Sequence, residues 1–230
     1  MDLIAPLLTN PASPRVTTYT PEGRAELSAE TLANWSAKAA NLLVELDLGA
    51  GDRVAVAAAT GWQPITVALG AWRVGAAITE WRSDQEEPGA LFTDSIEVAE
   101  AAAEAGVPEV YVLSTDPLGR AVWEPGRQPF GLNDYAEELR MQPDAYSGAR
   151  VDGQPLLYGE DGPLFAQDFF ARASTELPHG GRVLQTGWSS TAGMCEALLP
   201  LFAGGSVVLS TDCAPERLQQ LADVEKAVLR

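Results

Sequence analysis

The 230-residue chain is predicted to be an α/β protein, built from parallel βαβ units with helices on both sheet faces. Two observations carry that expectation. Short apolar runs ("DRVAVAAA", "AAITE", "ALFTD", "EVYVLS") alternate with longer segments of helical spacing, the pattern of parallel strands and their crossover helices. The runs are also close to uniformly apolar, as strands covered on both faces require. With 46% hydrophobic and 20% charged residues, the chain has material for one sizeable core, or one domain with two lobes.

"RVTTYTPEGRAELS" (15–28) reads as a short strand, a Pro/Gly turn and a second extended piece. A helix follows from Ala29 with Ser28 as N-cap. Leu32, Trp35, Ala39, Leu42, Leu43 and Leu46 give it one apolar face, and Gly49 is placed to end it. "DRVAVAAA" is a buried strand and "GWQPITVALGAWRVG" a second helix. "AAITE" and "ALFTD" are strands, "SIEVAEAAAEAG" is a helix capped by Ser95, and "EVYVLS" closes the first run. Between Thr115 and Pro155 several Pro and Gly surround one short helix near Asn133 to Arg140, so a lobe boundary is placed there, giving 1–150 and 151–230. The second run is "GRVLQTG" as strand, "AGMCEALLPLF" as helix, "SVVLS" as strand and "APERLQQLADVEKAV" as helix. Leu218, Leu221 and Val228 are expected on the buried face of that last helix.

A short echo links "YTPEGRAELSAETL" and "YGEDGPLFAQDF". Each has a Tyr, a Gly four residues on, and then an apolar residue entering a helix. Asp161-Gly162 is a hairpin-turn dipeptide, since Gly accepts the positive φ such turns require. Residues 156–166 are therefore expected to form a hairpin, with Glu160 and Asp161 in solvent.

Charge and composition exclude several function classes. A formal net charge of −17 repels nucleic-acid backbones and anionic membranes, so neither is expected as a partner. No apolar run approaches the roughly 18 residues of a membrane span. The N-terminal apolar patch is broken by Pro6 and lacks a basic flank, so no signal peptide is read and a cytoplasmic location is expected. One His and two Cys (Cys195, Cys213) do not supply a zinc site. The acidic runs "DQEE" and "GED" read as solvated turns rather than a Mg²⁺ site. "GWSST" (187–191) lies between a predicted strand and helix, the setting of a hydrolase nucleophile elbow. Thr191 stands where that motif needs Gly, and His179 precedes the serines instead of following them, so a serine hydrolase is the weakest alternative. His179 reads as a turn residue before a strand. The only lysines are Lys38 and Lys226, and Lys38 is expected on the surface.

Several segments in series resemble the N-terminal domain of the acyl-adenylate-forming (AMP-binding) superfamily of acyl-CoA synthetases, luciferases and nonribosomal peptide adenylation domains. "ELSAETLANWSAKAANLLVELDLGAGDRVAV" resembles the opening helix, Gly-Asp-x-Val turn and first core strand of that domain. "GWQPITVALGAWRVGAAITEWRSD" resembles the stretch that usually carries Lys-Ala-Gly-Ala, here Arg73-Val74-Gly75-Ala76. "ALFTDSIEVAEAAAEAGVPEVYVLS" and "RVLQTGWSSTAGMCEALLPLFAGGSVVLSTDCAPERLQQLA" resemble the later parts, in family order.

The resemblance implies an AMP-forming acid–thiol ligase fold, and the departures imply that the activity is lost. Where the family carries a Thr/Ser/Gly-rich loop ending in Pro-Lys-Gly, this chain has Gly159-Glu160-Asp161-Gly162. Two like charges 4 Å apart repel by about 4 kcal/mol at an effective dielectric of 20, so carboxylates are poor company for a triphosphate. The family's Tyr-Gly-x-Thr-Glu segment and the C-terminal domain with its catalytic lysine are not in the sequence. The expectation is thus a catalytically inactive relative with no catalytic residues and no required cofactor, acting as a small-molecule-binding or regulatory protein. A residual pocket for ATP, AMP or an acyl-adenylate would involve Gly187, Trp188, Ser189, Ser190, Thr191 and Gly193. The alternative is half of an adenylating enzyme completed by a partner chain. A homodimer is expected to cover the sheet edge that the family's later segments would otherwise cover.

Overall fold

Strand pairing sorts the chain into two sheets, each assembled from both early and late segments. The computed structural model describes residues 5–82, 87–148, 151–177 and 179–230. The first half supplies β1 (Pro14–Thr20), β2 (Gly23–Ser28), α1 (Ala29–Glu45), β3 (Arg53–Ala57), α2 (Trp62–Val74) and β4 (Ala77–Thr79). Next come β5 (Ala90–Thr93), α3 (Ile96–Glu104), β6 (Glu109–Val112), β7 (Asn133–Asp134) and α4 (Tyr135–Met141). The remainder supplies β8 (Pro155–Gly159), β9 (Gly162–Phe165), α5 (Ala166–Glu176), β10 (Arg182–Thr186) and α6 (Thr191–Ala197). It closes with α7 (Leu199–Phe202), β11 (Ser206–Ser210), α8 (Pro215–Glu225) and β12 (Val228–Leu229).

The larger sheet has the order β7-β6-β5-β3-β4-β8-β9 and the smaller the order β12-β10-β11-β1-β2. Every pairing is parallel except the two hairpins, β1–β2 and β8–β9, each on a sheet edge. The sheets do not divide the chain at residue 150: β8 and β9 join the sheet of the first run, while β1 pairs with β11.

Strand alternation sets the layers. Val54, Val56, Ala90 and Phe92 face a central core shared with α1, α2 and α5–α7. Ala55, Leu91, Val110 and Val112 face the opposite way, onto α3. In the smaller sheet Val207 and Leu209 join the central core, and Leu184 and Val208 meet Leu218 and Leu221 of α8. A strand with a helix on either side must be apolar at consecutive positions, which explains the unbroken apolar runs. Helix starts follow the sequence. The Ser28 and Ser95 hydroxyls accept from Thr31 N and Val98 N, each satisfying an otherwise orphaned donor.

Several helix ends differ from expectation. α1 stops before Gly49, and Asp47 takes the left-handed turn at φ 57°. The helix expected through "AGMCEALLPLF" is two, α6 and α7, because Pro200 has no N–H to continue the ladder. α8 ends at Lys226 (φ 51°), so Val228 lies in the edge strand β12 and is 64% exposed, not on a buried helix face. Lys38 is no free surface group: its ammonium donates to Gln142 O and pairs with Asp144 at 3.0 Å, tying α1 to the segment after α4. Asp84 to Glu86, most of the "DQEE" run, lie outside the described residues.

Candidate functional site

The two segments singled out in the sequence line one cleft of about 500 Å³. It opens at the carboxyl ends of β4 and β8, beside the start of α6, where parallel sheets commonly bind ligands.

The hairpin forms one wall. Gly159 pairs directly with Gly162, leaving Glu160 and Asp161 as a two-residue turn, both exposed as expected. Gly162 opens the return strand at φ 104°, a conformation that a β-carbon makes costly. The Asp161-Gly162 dipeptide therefore straddles the end of the turn instead of forming its centre. Gly23 does the same work in the β1–β2 hairpin at φ 141°, so the echo between the two sequences is a repeated hairpin-to-helix unit. Glu160 receives the Arg82 guanidinium, an exposed pair worth little to stability.

The α6 wall is held by a different set of contacts. A β-carbon at Gly187 would stand 2.0 Å from Thr60 Oγ1, so only glycine lets the loop come this close to the β3–α2 turn. Trp188 then donates its N–H to Thr60 Oγ1 (3.0 Å) and its indole N–H to Ala58 O (2.9 Å). Ser190 Oγ caps α6 by accepting from Gly193 N at 3.0 Å. The buried Thr191 hydroxyl donates to Val56 O (3.0 Å), and its N–H reaches Glu80 Oε1 (3.3 Å).

Of the residues named from sequence, Gly159, Glu160, Asp161, Gly162, Ser190 and Thr191 line the cleft. Gly187 and Trp188 anchor its supporting loop, Gly193 belongs to the cap, and Ser189 is exposed outside the lining.

Sequence reasoning missed Glu80, Arg172 and Glu196. Arg172 on α5 grips Glu196 on α6 with two hydrogen bonds of 2.5 and 2.7 Å, and its Nε donates to Glu176 at 3.0 Å. The Glu196 bonds, followed by those of Glu176, hold the guanidinium well above its ordinary pKa. Arg172, then Arg230, lowers the Glu176 carboxyl. The i,i+4 spacing of Arg172 and Glu176 was a visible signal, but the long-range partner was not.

His179 precedes β10 and Ser189 follows it, so this strand separates the would-be base from the would-be nucleophile. Five residues of strand span about 16 Å, beyond any hydrogen bond. Among the described residues no group of His, Cys, Asp or Glu could hold a metal ion, and no helix is long and apolar enough to cross a membrane.

The fold is that of an α/β chain built like the front part of the acyl-CoA synthetase and ligase structures. The structure superposes on a Brucella canis acyl-CoA synthetase with a TM-score of 0.74 at 18% identity, covering 100% of this chain and 47% of that one. For coronafacic acid ligase from Pectobacterium brasiliense the values are 0.74, 14%, 100% and 49%. For MatB from Rhodopseudomonas palustris they are 0.71, 19%, 96% and 47%. At these identities the likeness is one of fold, and the chain spans about half the length of those structures. No protein-family model matches the sequence. A Mycobacterium tuberculosis protein described as "TIGR03089 family protein" is 37% identical over 238 residues, covering 97% of this chain and 94% of the relative. The chain belongs to that family.

Proposed function

We propose that this protein is a catalytically silent relative of the AMP-forming acyl-CoA synthetases that binds a small molecule in the cleft between the β8–β9 hairpin and α6. One observation supports the reading: the segment that the sequence resemblance sets against the superfamily's phosphate-gripping loop is a two-residue turn between Gly159 and Gly162. Gripping a triphosphate takes several convergent backbone N–H groups and a cation. Here the tip offers Glu160 and Asp161, and the nearest guanidinium, Arg82, is engaged by Glu160. Arg172, the cationic side chain of the lining, is committed to Glu196 and Glu176. Leu157, Pro163, Leu164 and Ala192 supply an apolar wall, so the cleft suits a small ligand with an apolar portion.

The test is acid-dependent ATP–pyrophosphate exchange by the isolated protein, with calorimetric titration of ATP, AMP and a non-hydrolysable acyl-adenylate. No exchange with any carboxylic acid is expected. Exchange above the no-enzyme control would overturn the reading. A second reading, half of an adenylating enzyme completed by another chain, draws on the likeness to only half of each solved relative. Co-purification with a lysine-bearing partner that restores exchange would favour it over the first.

A further inference from the structure

A second cavity shares no lining residue with the cleft and lies at the reversal point of the larger sheet. From β3 the chain crosses to β4 on one side, and from β5 it crosses to β6 on the other, while β3 and β5 are neighbours. In parallel α/β sheets the crevice outside the carboxyl ends of two such strands is the preferred ligand position. Here it is a cavity of about 290 Å³. Its walls are the turn after β3 (Ala58 to Trp62), Asp94 after β5, the segment after β6, and the Pro21–Gly23 turn of the smaller sheet. It continues into an outer groove of about 390 Å³ that shares Glu22, Asp94 and Pro117 and adds Asp116, Ile96 and Val122.

The charge of these walls is one-sided. Glu22, Asp94 and Asp116 line the two compartments, and among the described lining residues there is no Lys or Arg. Asp94 spends one oxygen on Ala59 N (3.0 Å). Asp116 Oδ1 accepts from Leu118 N (2.7 Å), with Arg120 3.9 Å from Oδ2. Glu22 has no hydrogen-bond or ion-pair partner among the described residues. The inner end has the opposite need. α2 begins at Gly61 without a side-chain cap, so its first N–H groups lack an intrahelical acceptor. Trp62, a wall residue only 6% exposed, has an indole N–H with no acceptor among the described residues. A buried donor without a partner is rare in a folded protein and calls for one.

We propose that this crevice is a binding site for a small primary amine with an apolar body and a hydroxyl or carbonyl oxygen at its far end. The ammonium sits against Glu22 and Asp94, the body lies along Pro117, Leu113 and Pro64, and the oxygen accepts from the start of α2. Walls of one charge concentrate the oppositely charged ligand, and the apolar surroundings strengthen the pairing.

The probe is tyramine, titrated calorimetrically at low salt beside two analogues of nearly equal shape: the neutral alcohol tyrosol and the acid 3-(4-hydroxyphenyl)propanoate. Tyramine is expected to bind about tenfold more tightly than tyrosol, with no detectable heat from the acid. Glu22→Gln, at an exposed turn residue without partners among the described residues, is expected to remove most of that preference. Ala59→Phe, at an exposed wall position, should abolish binding by filling the mouth. Glu160→Gln in the other cleft should leave the tyramine affinity unchanged. Equal binding of tyramine and tyrosol, no tyramine binding at millimolar concentration, or full affinity in Ala59→Phe would each overturn the proposal. None of these results depends on the ATP–pyrophosphate assay, so this site and the cleft stand or fall separately.

Discussion

Gly70 sits where α1 and α2 come closest, and Gly70→Ala sets two opposed effects against each other. In an isolated helix the change is favourable, because alanine exceeds glycine by about 1 kcal/mol in a helix interior. In this protein a β-carbon at residue 70 would stand 2.6 Å from Ala39 Cβ and 2.9 Å from both Ala39 C and Ala40 N. Ordinary carbon contacts lie at about 3.5–4.0 Å, so the helices must part by roughly 1 Å. Overpacking of this kind costs about 1–3 kcal/mol. The upper end applies because two of the three contacted atoms are backbone, which cannot rotate away, and Ala39 and Ala40 are 2% and 0% exposed. A cost of about 3 kcal/mol against a gain of about 1 leaves about 2 kcal/mol of destabilisation. For a chain of this size that is a fall in Tm of about 4–8 °C. Differential scanning fluorimetry and urea unfolding measure it directly, and Ala39→Gly in the same chain should recover part of the loss by removing the nearest carbon. A Gly70→Ala protein that melts at or above the wild-type temperature would refute the close approach of the two helices.

Glu225 and the cysteines give two further predictions. Burial alone pushes the Glu225 carboxyl up, but hydrogen bonds from Tyr19, Arg182 and Arg24 outweigh it and hold the group below the ordinary Glu range. Stability from such a group is present above its unfolded pKa of about 4.3 and is lost as pH falls through the depressed folded value. Glu225→Gln should therefore be less stable than wild type at neutral pH, with the gap closing in acid. Urea midpoints that keep a constant gap from pH ~7 down to pH ~3 would contradict this. Burial, and then the Glu196 charge, raises the Cys195 thiol well above its usual pKa, whereas Cys213 is exposed. A thiol reagent at mildly alkaline pH should titrate one cysteine in the native protein and the second only in denaturant. Rapid native modification of both would show that α6 opens readily.

What the sequence disclosed follows from how local each determinant is. Ser28 and Ser95 were readable as caps because a cap is completed within three residues by its own side chain. Glu160-Asp161-Gly162 was readable as a hairpin because the turn decides its own geometry. The fold class was legible for the same reason, since buried strands and crossover helices differ in local period. Sheet membership was not legible. Nothing near Val16 indicates that its parallel partner is Val207, or that β8 joins β4 instead of its sequence neighbour β10. The cleft was half visible: its glycines and serines mark turns and caps, but the Arg172–Glu196 clamp joins α5 to α6 through packing of the central core. Val228 was misplaced because apolar spacing at the end of a helix looks the same whether the chain continues as helix or, as at Lys226, turns into a strand.

The pairing of β1 with β11 has a consequence in time as well as in space. During synthesis the β1–β2 hairpin emerges early, while β3 to β6 follow within sixty residues and can assemble from near neighbours. The hairpin must wait for a partner strand roughly 190 residues downstream, about 10–40 s at common elongation rates of 5–20 residues per second. Through that interval β1, with Val16, Thr17 and Thr18 destined for burial, keeps an open strand edge beside an already forming domain. An open edge of this kind is what other nascent chains and strand-seeking aggregates pair with. The smaller sheet is thus the last part of the molecule able to close, and its β1 edge stays open until the chain has been made beyond Ser206.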